Sequence, residues 1–185
     1  MKDLKMTISQ KRKQLGAFSI ELGLVLLVVL GIIAAAVWWY RDNIRKTSIN
    51  DNTSQLLHIS SNMISKYGKP GRYADVTTAI AVQAGVIPAN LRDGAGNTAT
   101  NLFGGDVTVA PQTLTGANDS MLLTWPAVPR NQCSDIVSGV AGEFRRIDVG
   151  ATTVKPDNAD LDIADLETAC DSADVQDLVL SIGRF

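Results

Sequence analysis

The chain is poor in the residues that build active centres. It holds one histidine, His58, and two cysteines in 185 residues. Zinc centres draw on clusters of Cys and His, so that chemistry is excluded by composition. No G-x-S-x-G, H-E-x-x-H, Walker A or C-x-x-C pattern occurs, and each of those spacings is what places a nucleophile, a metal or a phosphate. The chain reads as a non-enzyme with no cofactor and no metal. Aromatics make up 5% of it. Basic groups are scarce where a nucleic-acid binder needs them. Residues 1–16 carry five basic groups against one acid, residues 17–40 carry only Glu21, and residues 41–185 hold 12 basic and 17 acidic groups. An acidic body without a basic stripe excludes nucleic acid as partner. Charge is missing altogether from Leu22 to Tyr40, a run of 19 residues. Such a run needs lipid or a partner, which excludes a purely cytoplasmic soluble protein.

That run, LGLVLLVVLGIIAAAVWWY, spans about 28 Å as a helix, close to the thickness of a bilayer core. Trp38, Trp39 and Tyr40 close it, as interfacial aromatics do. Lys2, Lys5, Lys11, Arg12 and Lys13 precede it, and the positive-inside rule keeps that flank cytoplasmic. Everything after Tyr40 then lies outside the cytoplasm. The apolar run exceeds the core of an ordinary secretory signal, and no clear small-x-small cleavage site follows it. A plain uncleaved signal anchor, carrying a periplasmic binding domain, is one reading of these residues.

The junction KRKQLG-AFSIELGLVLLVV is more specific. A glycine ends the basic leader, a glutamate follows five residues later, and the apolar run begins directly after it. This resembles the processing site of type IV prepilins. The resemblance implies cleavage between Gly16 and Ala17 by a prepilin peptidase on the cytoplasmic side. It implies N-methylation of Ala17 and places Glu21 at the family's glutamate position. The leader would be 16 residues and the mature chain 169. A leader of this length resembles the type IVb branch, the PilS-like major pilins of thin conjugative and enteric pili. Ala17 departs from the family, which often has a bulkier residue there.

An acid within a membrane helix costs roughly 2.5–3.5 kcal/mol at the centre and less near the end. One reading leaves Glu21 hydrated at the lipid border. In the other, cleavage creates an amine on Ala17, one helical turn away, and a bundle of such helices buries both groups. Either group left unpaired costs several kcal/mol. A neighbour's carboxylate can meet the amine only at a defined axial offset, so Glu21 sets register as polar residues do in coiled-coil seams. Phe18 and Ile20 begin the apolar surface that supplies the remaining driving force for assembly.

Beyond Tyr40, Ile44, Ile49, Asn52 or Thr53, Leu56, Ile59, Met63 and Tyr67 recur at helical spacing. This predicts an amphipathic stalk over 41–67, stopped by Gly68-Lys69-Pro70-Gly71. The N-terminal helix is therefore expected over 17–67, membrane-spanning over 22–40. No proline interrupts it, although family members often have one near Trp38. His58 is expected on the stalk as a surface or semi-buried helix residue, which leaves the head without a Ser-His-Asp arrangement.

Residues 68–185 are expected to form one globular head. The pattern predicts helices at 76–84, from Pro129 onward with Cys133, Ile136, Val137 and Val140 as its apolar stripe, and at 161–170 with Asp160 and Asp162 at its positive end. It predicts strands at 106–109, at 121–125 stopped by Pro126, and at 175–182. A hairpin of 144–149 with 152–155 turns around Gly150. Residues 90–105 read as loop. Mixed helices and strands without βαβ regularity give an α+β fold with an antiparallel sheet. The family resemblance adds that the sheet packs on the helical spine.

Cys133 and Cys170 both fall outside the cytoplasm, where two such cysteines pair; two buried free thiols are the alternative. A pair would bound residues 133–170, matching the C-terminal disulfide-bounded region of type IV pilins. Asp157, Asp160, Asp162, Asp165 and Glu167 lie inside it and Asp171, Asp174 and Asp177 after it. Their spacing misses the calcium loop of the EF-hand, and they read as a solvated acidic face.

The function expected is a structural subunit of a type IVb pilus, serving adhesion, aggregation or conjugative mating contact. Its expected partners are further copies of itself, the prepilin peptidase, an inner-membrane assembly platform, the inner membrane before assembly, and a host or recipient-cell surface glycan. Its expected location is the inner membrane, then an extracellular pilus. The alternative within the resemblance is a minor pilin or a type II secretion pseudopilin.

Overall fold

The computed structural model describes residues 7–68, 73–94 and 96–183, with side chains described from residue 22 onward in the first of these. Two compact units result, Met1–Arg45 and Lys46–Phe185.

A single helix, α1 (Thr7–Tyr67), supplies all the regular structure among the described residues of the first unit and opens the second. It begins ten residues before the expected start at Ala17. The reason is local: TISQKRKQL contains no proline and is rich in good helix formers, and one glycine costs only about 1 kcal/mol. From Leu22 to Tyr40 every residue is exposed. In the second unit the periodicity changes character. Asn52, Leu56, Ile59, Ser60 and Met63 are fully buried, while His58 on the opposite side is exposed. The helix ends at Tyr67, and Lys69, Pro70 and Gly71 of the expected stop signal lie outside the described residues.

The rest of the second unit is a five-stranded antiparallel sheet flanked by short helices. Its strands are β1 (Thr108–Gln112), β2 (Ser120–Pro129), β3 (Arg146–Val149), β4 (Thr152–Lys155) and β5 (Val175–Ile182), in the order β1-β2-β5-β3-β4. Helices α2 (Thr78–Gln83), α3 (Arg130–Val140) and α4 (Ile163–Asp171) complete it, with a 3-10 turn at Ala89–Leu91. The fold is α+β, with a long helix against an antiparallel sheet. Leu56, Ile59 and Met63 of α1 share one core with Leu123 and Trp125 of β2 and Leu178 and Leu180 of β5.

Three expectations need correction. Pro126 does not stop β2. The strand runs on to Pro129 through an irregularity between Trp125 and Val128, where Ala127 adopts φ 60°. Proline lacks the N–H for the ladder, so pairing skips a step, and side chains satisfy the displaced backbone. Asn101 Nδ2 donates to the Pro126 carbonyl at 2.6 Å, and Ala127 N–H donates to Asp177 Oδ1 at 3.0 Å. Second, β1 lies at 108–112 rather than 106–109 and contains Pro111, which the edge position of β1 tolerates. Third, residues 90–105 are more ordered than a plain loop. Bridges join Arg92 to Ala99 and Thr100 to Asp106, and Asp93 Oδ1 accepts from the backbone N–H of Gly96 at 2.7 Å and of Asn97 at 3.3 Å.

Candidate assembly segment and disulfide-closed region

Among its described side chains the first unit presents an uncovered apolar cylinder. Leu22 to Tyr40 is long and apolar enough to cross a membrane. Leu27 is 69% exposed, and Ile32 and Ile33 are also open. At about 25 cal/mol per Å² of apolar surface, leaving so many large side chains in water costs tens of kcal/mol. The segment is stable only in lipid or against other helices.

The residues singled out for processing and assembly lie just before this cylinder. Gly16, Ala17, Phe18, Ile20 and Glu21 all fall within the backbone helix of α1. Their side chains lie outside the described residues. Helix geometry alone places Glu21 one turn beyond Ala17.

The second unit carries the cysteine pair. Cys133 and Cys170 form a disulfide with Cα atoms 5.7 Å apart, and both are buried. The apolar stripe of α3 is the one its spacing predicts: Cys133, Ile136, Val137 and Val140 are all buried. Asp162 caps α4, its carboxylate accepting from the N–H groups of Ala164 at 2.9 Å and Asp165 at 3.0 Å. Polar pairs run alongside the disulfide. Ser134 donates to Glu167 Oε1 at 2.5 Å, and Arg130 Nε donates to Asp171 Oδ1 at 2.7 Å. The hydrogen bond from Arg130, with its charge, holds the Asp171 carboxyl below its ordinary value. Both partners are solvent-exposed, so this pair orders the surface more than it stabilises the fold.

An open groove lies here, lined by Arg130, Ser134, Asp135, Glu167, Asp171 and Asp174. Among the described residues no group of three or more His, Cys, Asp or Glu side chains is arranged to hold a metal. Its lining is mainly acidic, and the Ser134 hydroxyl in it is engaged by Glu167.

A second polar centre was invisible in the sequence. Arg145 is buried, and its guanidinium forks onto Asp157, with Nε to Oδ1 at 2.9 Å and Nη2 to Oδ2 at 2.7 Å. Nη1 also reaches Asp119 Oδ2 at 3.3 Å. Asp119 in turn accepts from the backbone N–H of Leu114 at 2.8 Å and of Gly116 at 3.1 Å. Burial alone would raise the Asp119 carboxyl; these backbone bonds and the Thr115 hydroxyl outweigh it and hold the group well below the carboxylate range. Lys155 is also buried and donates to the carbonyls of Ala141 and Phe144, both at 2.6 Å, just past the end of α3. Burial pushes its ammonium down, against the pull of Asp160 and Asp157. These links join the turn at 113–119, the start of β3 and the turn after β4. Two consecutive arginines, Arg145 just before β3 and Arg146 its first residue, were the only available signal, and sequence does not say which of many aspartates each one meets.

Residues 46–183 match the family model described as PilS N terminal. The crystal structure of the type IVb pilin from Salmonella typhi superposes with a TM-score of 0.53 at 23% identity, covering 75% of this chain and 99% of that one. That of TcpA, a type IV pilin from Vibrio cholerae El Tor biotype, gives 0.50 at 17% identity, covering 73% and 98%. At such identities the structural likeness establishes the fold: a long N-terminal helix on an antiparallel sheet. No curated protein sequence matches the chain.

Proposed function

Since the chain belongs to the PilS family and is a type IVb pilin, a structural subunit, we propose that it is made as an inner-membrane prepilin, cut after Gly16 and polymerised through its apolar helix into an extracellular pilus. Residues 1–16 are the leader, 17–67 the N-terminal helix and 68–185 the head. A prepilin peptidase removes the leader and Ala17 becomes the methylated terminus. An assembly platform in the inner membrane then moves each subunit from lipid into the filament.

One observation carries this reading: the helix from Leu22 to Tyr40 is exposed along its whole length, while Lys46–Phe185 has a closed core of its own. The head needs no partner to fold, and the segment needs one to exist. Lipid serves before assembly and neighbouring helices serve after it. The two environments differ most for Glu21. In lipid its carboxylate stays at the border. In the filament it pairs with the Ala17 amine of an adjoining subunit and fixes the axial offset, with Phe18 and Ile20 packing around the pair. The pilus then serves adhesion, aggregation or mating contact, with a surface glycan as the ligand class.

The test is Glu21→Gln and Glu21→Val, each scored separately for membrane insertion, cleavage and filament yield. Both variants insert and are cleaved, and both fail to grow filaments. Abundant filaments from both would contradict the assignment.

A further inference from the structure

The bond assigned to processing lies inside regular structure. Helix α1 is unbroken from Thr7 to Tyr67, so it runs straight through Gly16 and Ala17. Helix geometry ties up both sides of the peptide between them. The Gly16 carbonyl accepts from the N–H of Ile20, four residues on, and the Ala17 N–H donates to the carbonyl of Lys13. Hydrolysis adds water to the Gly16 carbonyl carbon and breaks its bond to the Ala17 nitrogen. It leaves a carboxylate on Gly16 and an amine on Ala17. A peptidase must aim a nucleophile at that carbon and donors at its oxygen. Neither reaches its target while the helix holds the oxygen and wraps the peptide in its own turns.

The residues around the bond are unevenly suited to a helix. Gly16 is the one glycine or proline between residues 7 and 22. Glycine disfavours a helix roughly fivefold against alanine, so the weakest point of this stretch sits at the scissile bond. The seven residues before it are the opposite. From Ser9 to Leu15 there is no glycine, proline or β-branched residue, and Gln, Lys, Arg and Leu rank near the top in helix propensity. Holding the cytoplasmic flank takes only their charge, not their helical order. Once the turn at 13–20 opens, residues 7–12 are cut off from the spine. Six residues are too few to remain helical alone. Opening therefore releases the leader as a whole, and every good helix former in it opposes the opening.

We infer that residues 7–15 act as a conformational brake on processing. The peptidase acts on the unwound form of the turn at 13–20, and the helix stability of the leader sets how often that form is present. The inference rests on the reading that the cut falls after Gly16. Gly16 then is a positioning residue, the hinge at which the helix opens. The leader gains a second role beside topology: it times the appearance of the Ala17 amine, and with it the supply of subunits for assembly.

The test places the full chain in lipid vesicles with a prepilin peptidase and follows loss of the leader by intact mass. Ser9 and Gln10 lie six or more residues from the cut and carry no charge, so exchanging them leaves all five basic residues in place. Ser9→Ala, Gln10→Ala strengthens the leader helix, and Ser9→Gly, Gln10→Gly weakens it. Two positions at four- to fivefold each make the glycine pair about twentyfold faster to cut than the alanine pair, with the unaltered chain between them. Amide exchange at residues 11–15, measured without peptidase, rises in the same order. Cleavage rates that coincide while exchange differs overturn the inference and leave the cut site in place. Unprotected amides across 11–15 in the unaltered chain overturn it as well, because the brake is then absent. A chain never cut after Gly16 overturns the processing reading and the inference together.

Discussion

Asn52 and Trp125 share a buried hydrogen bond across 73 positions of sequence, the indole Nε1–H donating to Asn52 Oδ1 at 3.1 Å. Both residues are fully buried. Asn52 turns its own amide back along α1, donating to the Ser48 carbonyl at 2.8 Å. The bond fixes the stalk part of the helix against β2 at one rotation and one height, which apolar contacts alone specify weakly. Asn52→Leu strands the indole N–H in the core and lowers stability by about 1–3 kcal/mol. Trp125→Phe in the same chain recovers part of that loss, because the orphaned donor is gone. Denaturant unfolding of the single and double variants checks this.

Gly105 lies where β2 bends. A Cβ there would come within 2.7 Å of Pro126 Cγ and 2.8 Å of its carbonyl oxygen. Backbone cannot yield as a flexible side chain does. Gly105→Ala is expected to cost about 1–3 kcal/mol and to loosen the bond from Asn101 to Pro126. A lowered thermal midpoint, with increased amide exchange at Ala127, is the expected readout.

That bend shows why part of the fold was legible and part was not. The stripe of α3, the cap of α4 and the hairpin around Gly150 are local. Periodicity, one carboxylate at an N-cap and a glycine at φ +57° encode them within a few residues. Pro126 also obeys its local rule by interrupting the ladder. What lets β2 continue is Asn101 and Asp177, placed 25 and 50 residues away. No pattern in the sequence ties those three together. The same holds for Arg145, whose partners Asp119 and Asp157 come from two separate turns. Asn52 was visible as a polar residue within an apolar stripe, without its partner. The apolar segment was the most legible feature, since exposure of an uncharged run needs no tertiary information.

Acid sensitivity follows from Asp119. Its folded carboxyl titrates below the ordinary value of 3.8. Its contribution to stability is therefore complete above that value and is lost as pH falls below it toward the depressed one. Asp119→Asn lowers stability at neutral pH and flattens the pH dependence below about 4. Thermal midpoints across the acid range, for the unaltered and variant chains, give the comparison. Parallel curves would contradict the assignment.

The disulfide closes 37 positions. Chain-entropy reasoning assigns such a link about 3–4 kcal/mol. The double change Cys133→Ser, Cys170→Ser is expected to lower unfolding stability by that order and to free α4 from α3 before the sheet melts. Hydrogen exchange resolved by segment distinguishes this from a uniform loss: protection falls first across Ile163–Asp171 and persists in β2 and β5.

The central claim is that the apolar helix leaves lipid for a filament only after the leader is removed. Intact-mass analysis of filaments sheared from the cell surface tests it most directly. The account predicts a subunit beginning at Ala17, methylated on its amine, with Cys133 and Cys170 joined. A filament subunit that retains residues 1–16, or a surface fraction in which this chain is present but never polymeric, would contradict it.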